Sequence, residues 1–168
     1  KIIKLIYRCK LKFKNPTKTD ILVLDDTGAE RLEFLIKNYD HFILPIRYNK
    51  ISNIYISFKI INNLIKYFNK TNLSKAYFCS LIEIINPKLI ITNIDNSLPI
   101  SNIAKILENK FNFLAIQNAA RYEFHEYGKK HASKFFIPEL ACFGNFEKSL
   151  YKKYNIKVKK FFVCGSIN

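Results

Sequence analysis

Lys88–Asn96 reads KLIITNIDN, a run of aliphatic and β-branched residues that stops in Asp95 and Asn96. Two further segments share the pattern, FNFLAIQNAAR (Phe111–Arg121) and KFFVCGSIN (Lys160–Asn168). Apolar runs of this kind suit strands covered on both faces, the condition inside a parallel sheet. In open α/β sheets, ligands bind where the carboxyl ends of such strands meet their loops. Asp95, Asn96, Gln117, Asn118, Arg121, Gly165 and Ser166 fall at those ends and are candidate ligand contacts.

Outward from these runs the chain alternates between strand and helix patterns. Pro16 and Thr17–Asp20 predict a turn, and ILVLD (Ile21–Asp25) predicts the first strand. Asp26-Thr27-Gly28 then leads into a helix over Ala29–Tyr39, from the spacing of Leu32, Leu35 and Ile36. His41–Arg47 predicts a second strand with Pro45 near its end. Residues 51–70 read either way, with Ile60, Ile61, Leu64, Ile65 and Phe68 favouring a helix. A helix over Asn72–Asn86 is halted by Pro87. Lys88–Ile94 follows as a strand, Pro99–Asn109 as a helix and Phe111–Ile116 as a strand. A long polar loop covers 117–134, with a short strand at Ala141–Phe143. Asn145–Tyr154 predicts a helix and Val158–Cys164 the last strand. Alternation of this kind implies βαβ units, an α/β class and a mostly parallel sheet. Residues 1–19 form a basic segment of unassigned structure, and 20–168 one domain.

Composition narrows the class. A chain of 168 residues, 49% hydrophobic and 24% charged, fits one globular domain of the soluble type. No apolar run approaches the ~20 residues of a membrane span. Lys4, Arg8, Lys10 and Lys12 break any signal-peptide core at the N-terminus. The chain has no Met and is expected to be a piece of a longer protein. Its formal charge of +15 comes nearly all from Lys, with Arg only at positions 8, 31, 47 and 121. Bidentate phosphate contacts and base readout favour Arg, so nucleic acid is not the expected partner. Lys, Ile, Asn, Phe and Tyr share A/T-rich codons, which accounts for much of the charge. Peripheral attraction to an acidic inner-membrane surface fits better, at a cytoplasmic location. Cys9, Cys79, Cys142 and Cys164 form no CxxC pair and read as reduced thiols.

The long loop holds Arg121, Glu123, His125, Glu126 and His131. Arg121 suits a phosphate or carboxylate, and the others suit acid–base work, although charged loop residues are commonly just solvated. The His and Glu spacing matches no helical zinc motif, so no metal is expected. Asp95 reads either as a base or hydroxyl-orienting group, or as an Asx turn capping the next helix. Asp25 and Asp26 carry the same two readings, with the turn ahead. Gly165-Ser166 would let a phosphate approach backbone amides. No GxGxxG, Walker A or GxSxG motif occurs, which argues against dinucleotide oxidoreductases, P-loop enzymes and α/β-hydrolases.

The succession ILVLDDTGAE, PKLIITNIDNS, FLAIQNAAR, ACFGNFEKSLYKKY and FFVCGSIN resembles bacterial surface carbohydrate biosynthesis proteins, glycosyltransferases of two-domain GT-B architecture. The likeness runs over about residues 20 to 168. It extends more loosely to glycerophosphotransferases and nucleotide-sugar epimerases of the same layout. Val163-Cys164-Gly165-Ser166 matches the turn that closes the N-terminal domain in such folds. The resemblance implies a Rossmann-like three-layer domain, the acceptor-side half of an enzyme whose donor domain lies outside this chain. The 168 residues alone are then expected to be inactive. It implies transfer of a sugar or sugar-phosphate from a nucleotide-sugar to a glycan or lipid-linked acceptor, with no cofactor or obligatory metal. Asp95, Glu123 and His125 are the implied candidates for the base. Asn96, Gln117, Asn118, Arg121, Gly165 and Ser166 are the implied substrate contacts. Relatives tend to have Gly where this chain has Ala119, so a positive φ there would strain the turn by about 1 kcal/mol. A nucleotide-sugar epimerase and a non-catalytic binding module are the alternative readings.

Overall fold

The computed structural model describes residues 7–120 and 132–166. Its strands are β1 (Lys10–Lys12), β2 (Ile21–Leu24), β3 (His41–Leu44), β4 (Asn53–Tyr55), β5 (Leu89–Thr92), β6 (Asn112–Ile116), β7 (Phe136–Cys142) and β8 (Lys157–Val163). The α-helices are α1 (Glu33–Ile36), α2 (Phe58–Phe68), α3 (Leu73–Ile85), α4 (Leu98–Leu107) and α5 (Asn145–Lys153), with 3₁₀ turns at Ala29–Leu32 and Ala132–Lys134. Six strands form one wholly parallel sheet in the order β3-β2-β5-β6-β7-β8. Progression runs from β2 to β3 on one side, then returns past β2 to β5 on the other. The topological switch point of this Rossmann-like sheet therefore lies between β2 and β5.

Local chemistry explains where the helices begin and end. Ser57, Asn72 and Ser97 each turn a side-chain oxygen onto the backbone N–H three residues on, at 3.2, 3.1 and 3.5 Å, and so cap α2, α3 and α4. Asn86 closes α3 in the left-handed conformation, φ 53°, just before Pro87. Leu22, Leu24, Ile90 and Phe113 point to one face of the sheet, where α3 and α4 bury them with Cys79, Ile82, Ile85 and Leu107. The opposite face carries Ile21, Val23, Ile91 and Ile116, packed by Ala29, Leu32 and Ile36 alone among the described helical residues. A third cluster joins Ala115, Leu140 and Cys142 to Tyr151 of α5.

Four expectations are revised. Ala29–Tyr39 is not one helix but a 3₁₀ turn followed by the four-residue α1. No side chain caps its start, and only Ala29, Leu32 and Ile36 are buried, too little to stabilise three turns. The short strand at Ala141–Phe143 is in fact seven residues, Phe136–Cys142, running through Pro138. That proline is tolerated because pairing with β6 begins only at Glu139, and Ser101 of α4 accepts the Phe136 N–H instead. The last strand is not covered on both faces: Phe162 and Val163 are exposed, because β8 is the outermost strand. Lys157, Lys159 and Lys160 line this edge, an arrangement that discourages further strand pairing. Within the basic N-terminal segment, β1 pairs in parallel with β4 to form a separate two-stranded sheet.

Candidate functional site at the carboxyl rim of the sheet

The chain buries nine polar or charged residues among those described, and five of them, Asp25, Thr92, Asn93, Asp95 and Gln117, lie at the carboxyl ends of β2, β5 and β6. Burial of such groups is costly unless they are hydrogen-bonded, so their partners define what the rim is built to do.

At the end of β2, Asp25 sits at φ 77°, a left-handed conformation that Asp tolerates better than most residues. Its Oδ1 accepts the Thr27 N–H at 2.9 Å, so the Asx-turn reading of Asp25 holds. Its Oδ2 accepts from Arg47 Nε at 3.1 Å, anchoring a half-exposed guanidinium contributed by the loop after β3. Lys50 lies 3.7 Å from Asp26 Oδ2, while Asp26 Oδ1 is buried without a hydrogen-bond partner among the described residues. Gly28, at φ +73°, lets its carbonyl receive Asn93 Nδ2 at 3.4 Å. A Cβ there would stand 2.1 Å from that nitrogen, so the contact across the switch point requires glycine.

At the end of β5, Asp95 is 4% exposed and accepts a hydrogen bond from the hydroxyl of Tyr151 on α5. The hydroxyl-orienting reading of Asp95 thus has an internal counterpart, a tyrosine of its own chain. Beneath it a cavity of ≈ 20 Å³ is lined by Thr92, Ser97 and Ser101 together with apolar side chains such as Ile100, Ala104, Phe113 and Phe136. Thr92 Oγ1 has no partner among the described residues. At the end of β6, Gln117 donates Nε2 to the Ala119 carbonyl at 2.8 Å and accepts the Phe143 N–H at 3.2 Å. Its amide therefore ties the β6 and β7 loops together.

The remaining candidates scatter. Asn96 is exposed and Asn118 half-buried at the same rim. Ala119 is not among the positive-φ residues, so its turn needs no glycine. Gly165, at φ +77°, and Ser166 follow β8, three strands beyond β5. At ordinary strand spacing that is about 14 Å from β5 and further still from the switch point. Arg121, Glu123, His125, Glu126 and His131 lie outside the described residues.

Arg47, Asn93 and Tyr151 are the rim residues that sequence reasoning passed over. Arg47 lay two residues beyond Pro45, in a stretch read as strand. Asn93 sits within TNIDN and was readable only as part of the strand end. Tyr151 gave no signal, since it is one of the chain's ten tyrosines and sits on a helix with apolar spacing. No group of three His, Cys, Asp or Glu side chains converges among the described residues. No family model, no curated protein and no solved structure matches the chain.

Proposed function

We propose that this domain is the acceptor-side half of a glycosyltransferase-like enzyme of surface polysaccharide synthesis. In this reading a sugar or sugar-phosphate passes from a nucleotide-sugar to a glycan or lipid-linked acceptor, with the donor held by a second domain. The observation that carries it is the placement of Asp25, Asn93, Asp95 and Gln117, all buried, on the carboxyl ends of the adjacent parallel strands β2, β5 and β6, the first two of which flank the switch point. That is where sheets of this type bind ligands. The ordered series of motifs from ILVLDDTGAE to FFVCGSIN gives it further support.

Arg47, held through Nε by Asp25, and Lys50 beside Asp26 supply cations for the phosphate of a substrate. Asp95, Glu123 and His125 stand as candidates to take the acceptor proton. As that proton leaves, the acceptor oxygen bonds to the anomeric carbon, and the nucleotide departs with the electrons of the broken C–O bond. For a sugar-phosphate the oxygen bonds to phosphorus instead, and the leaving nucleotide keeps the electrons of the broken P–O bond. Helix N-termini and basic side chains would stabilise the departing charge.

The test is nucleotide release by the full-length protein from a panel of nucleotide-sugars, with and without glycan and lipid-linked acceptors. Acceptor-dependent release is expected, falling at least tenfold in Asp95→Asn and in Arg47→Ala. Acceptor-independent turnover that yields the epimeric sugar or nucleotide-sugar would reassign the protein to epimerase chemistry. Failure of the full-length protein to bind any nucleotide-sugar by calorimetry would refute the enzymatic reading altogether.

A further inference from the structure

Helix α2 has two apolar faces. Ile60 and Tyr67 are buried against the core, yet Phe58, Ile61, Ile65 and Phe68 are exposed, Phe58 at 87% and Ile65 at 62%. Their spacing of three, four and three residues aligns them in one stripe along the helix. Ser57, which caps this helix, donates its hydroxyl to Asn15 Oδ1 at 2.6 Å. This brings the segment after β1 to the head of the stripe, with Phe13 exposed at 76%. Lys12 stands over the ring of Tyr55 in β4, tying the same segment to the small sheet.

The charge around the stripe is mostly positive, with Glu83 its acidic neighbour. Residues 7–19 contain five Lys or Arg and residues 41–82 contain six, and neither stretch contains an Asp or a Glu. The first stretch supplies β1 and the second β3, β4, α2 and most of α3, and Lys18 and Lys59 line one cleft between the segment after β1 and α2. Lys66 is engaged with Glu83, but Lys59 and Lys70 on and beside α2 and Lys14 near its cap add to the field. A second copy of the chain presenting the same face would meet like charge, which disfavours self-association there. Phosphate contact alone would not require exposed Phe and Ile. Apolar side chains on a helix lying among lysines match an anionic bilayer surface, where the rings enter the acyl boundary and the amines meet headgroups. Among the described residues no helix is long and apolar enough to cross a membrane, so contact would be in the plane of the surface.

We infer that the outer face of α2, with Phe13 beside its N-terminus, docks this protein onto an anionic lipid surface. The inference does not depend on the chemistry at the carboxyl rim. The test is flotation of the full chain with vesicles of phosphatidylcholine alone or containing 30% phosphatidylglycerol, at low and high salt. Binding to the anionic vesicles is expected, weakened but retained in 0.5 M NaCl because part of it is apolar. Phe58→Ser with Ile65→Ser should lower partitioning about tenfold without altering the circular dichroism spectrum, since both side chains already face water. Lys59→Glu with Lys70→Glu should act only on the anionic vesicles, and Phe146→Ser with Phe162→Ser, on other elements, should change nothing. Equal binding to neutral vesicles would overturn the proposal, as would full binding by the Phe58/Ile65 variant. So would a dimer that the same variant dissolves, seen without vesicle binding.

Discussion

Glu83 on α3 sits among Lys66, Lys110 and the hydroxyl of Tyr67, and replacing it with Gln isolates what its charge contributes. Lys66 Nζ lies 2.9 Å from Glu83 Oε1, and Lys110 Nζ donates to the same oxygen. Lys110 also reaches the Tyr67 hydroxyl at 3.4 Å, linking α2, α3 and the start of β6. Burial alone would raise the carboxyl, but hydrogen bonds from Lys110, Lys66 and Tyr67 outweigh it and hold the group at about 2 against an ordinary 4.5. A difference of that size sets a ceiling of about 3 kcal/mol. The lysines are 48% and 44% exposed, so solvent screening reduces the contribution to roughly 1–2 kcal/mol. The folded-state value is lowered, so this stability is present above about pH 4.5 and is lost as pH falls toward 2. Glu83→Gln should therefore lower Tm at pH 7 by about 2–8 °C for a domain of this size. The gap to the unaltered protein should narrow below pH 4.5 and shrink in 0.5 M salt. Thermal melts followed by circular dichroism from pH 3 to 7 measure it. A gap unchanged at pH 3, or none at pH 7 in low salt, would refute the electrostatic account.

Gly28→Ala should cost about 2 kcal/mol or more, since it adds left-handed strain to a Cβ placed 2.1 Å from Asn93 Nδ2. Pairing it with Asn93→Ala should recover only the steric part, and chemical denaturation of both variants tests that split. Tyr151→Phe removes one hydrogen bond from the buried Asp95 carboxylate, and urea midpoints should report a loss of about 1–3 kcal/mol. Thiol titration of the native protein should show one fast-reacting cysteine, Cys164, because Cys9, Cys79 and Cys142 are buried. Burial also pushes the Cys79 thiol up to about 12, which further slows its reaction; two fast thiols before unfolding would contradict this.

Much of the fold was legible because its signals are short-range. Ser57, Asn72 and Ser97 cap helices through backbone groups three residues away, and Asn86-Pro87 ends α3 by its own conformational limits. The apolar runs at Ile21–Leu24, Leu89–Thr92 and Asn112–Ile116 announced central strands by burial on both faces. The first turn at Asp25 was readable too, since its Asx bond spans two residues. β8 misled the same reasoning because an apolar run says nothing about a strand's place in the sheet. Its exposure follows from being last in the order.

The site itself is made of contacts that sequence spacing cannot reveal. Asp25 meets Arg47 across 22 residues, Asp95 meets Tyr151 across 56, and Asn93 meets Gly28 across 65. The exposed stripe on α2 was likewise hidden. Phe58, Ile61, Ile65 and Phe68 carry the same helical spacing as a core face, and only the packing of Ile60 and Tyr67 showed which side was covered. Sequence by itself determined the α/β class, the strand–helix alternation and the polar ends of the strands, because propensity, caps and turns act within a few residues. Tertiary structure alone decided which of those ends meet and which apolar faces stay open. Strand order brings distant segments together, and burial is a property of the assembled layers rather than of any one segment.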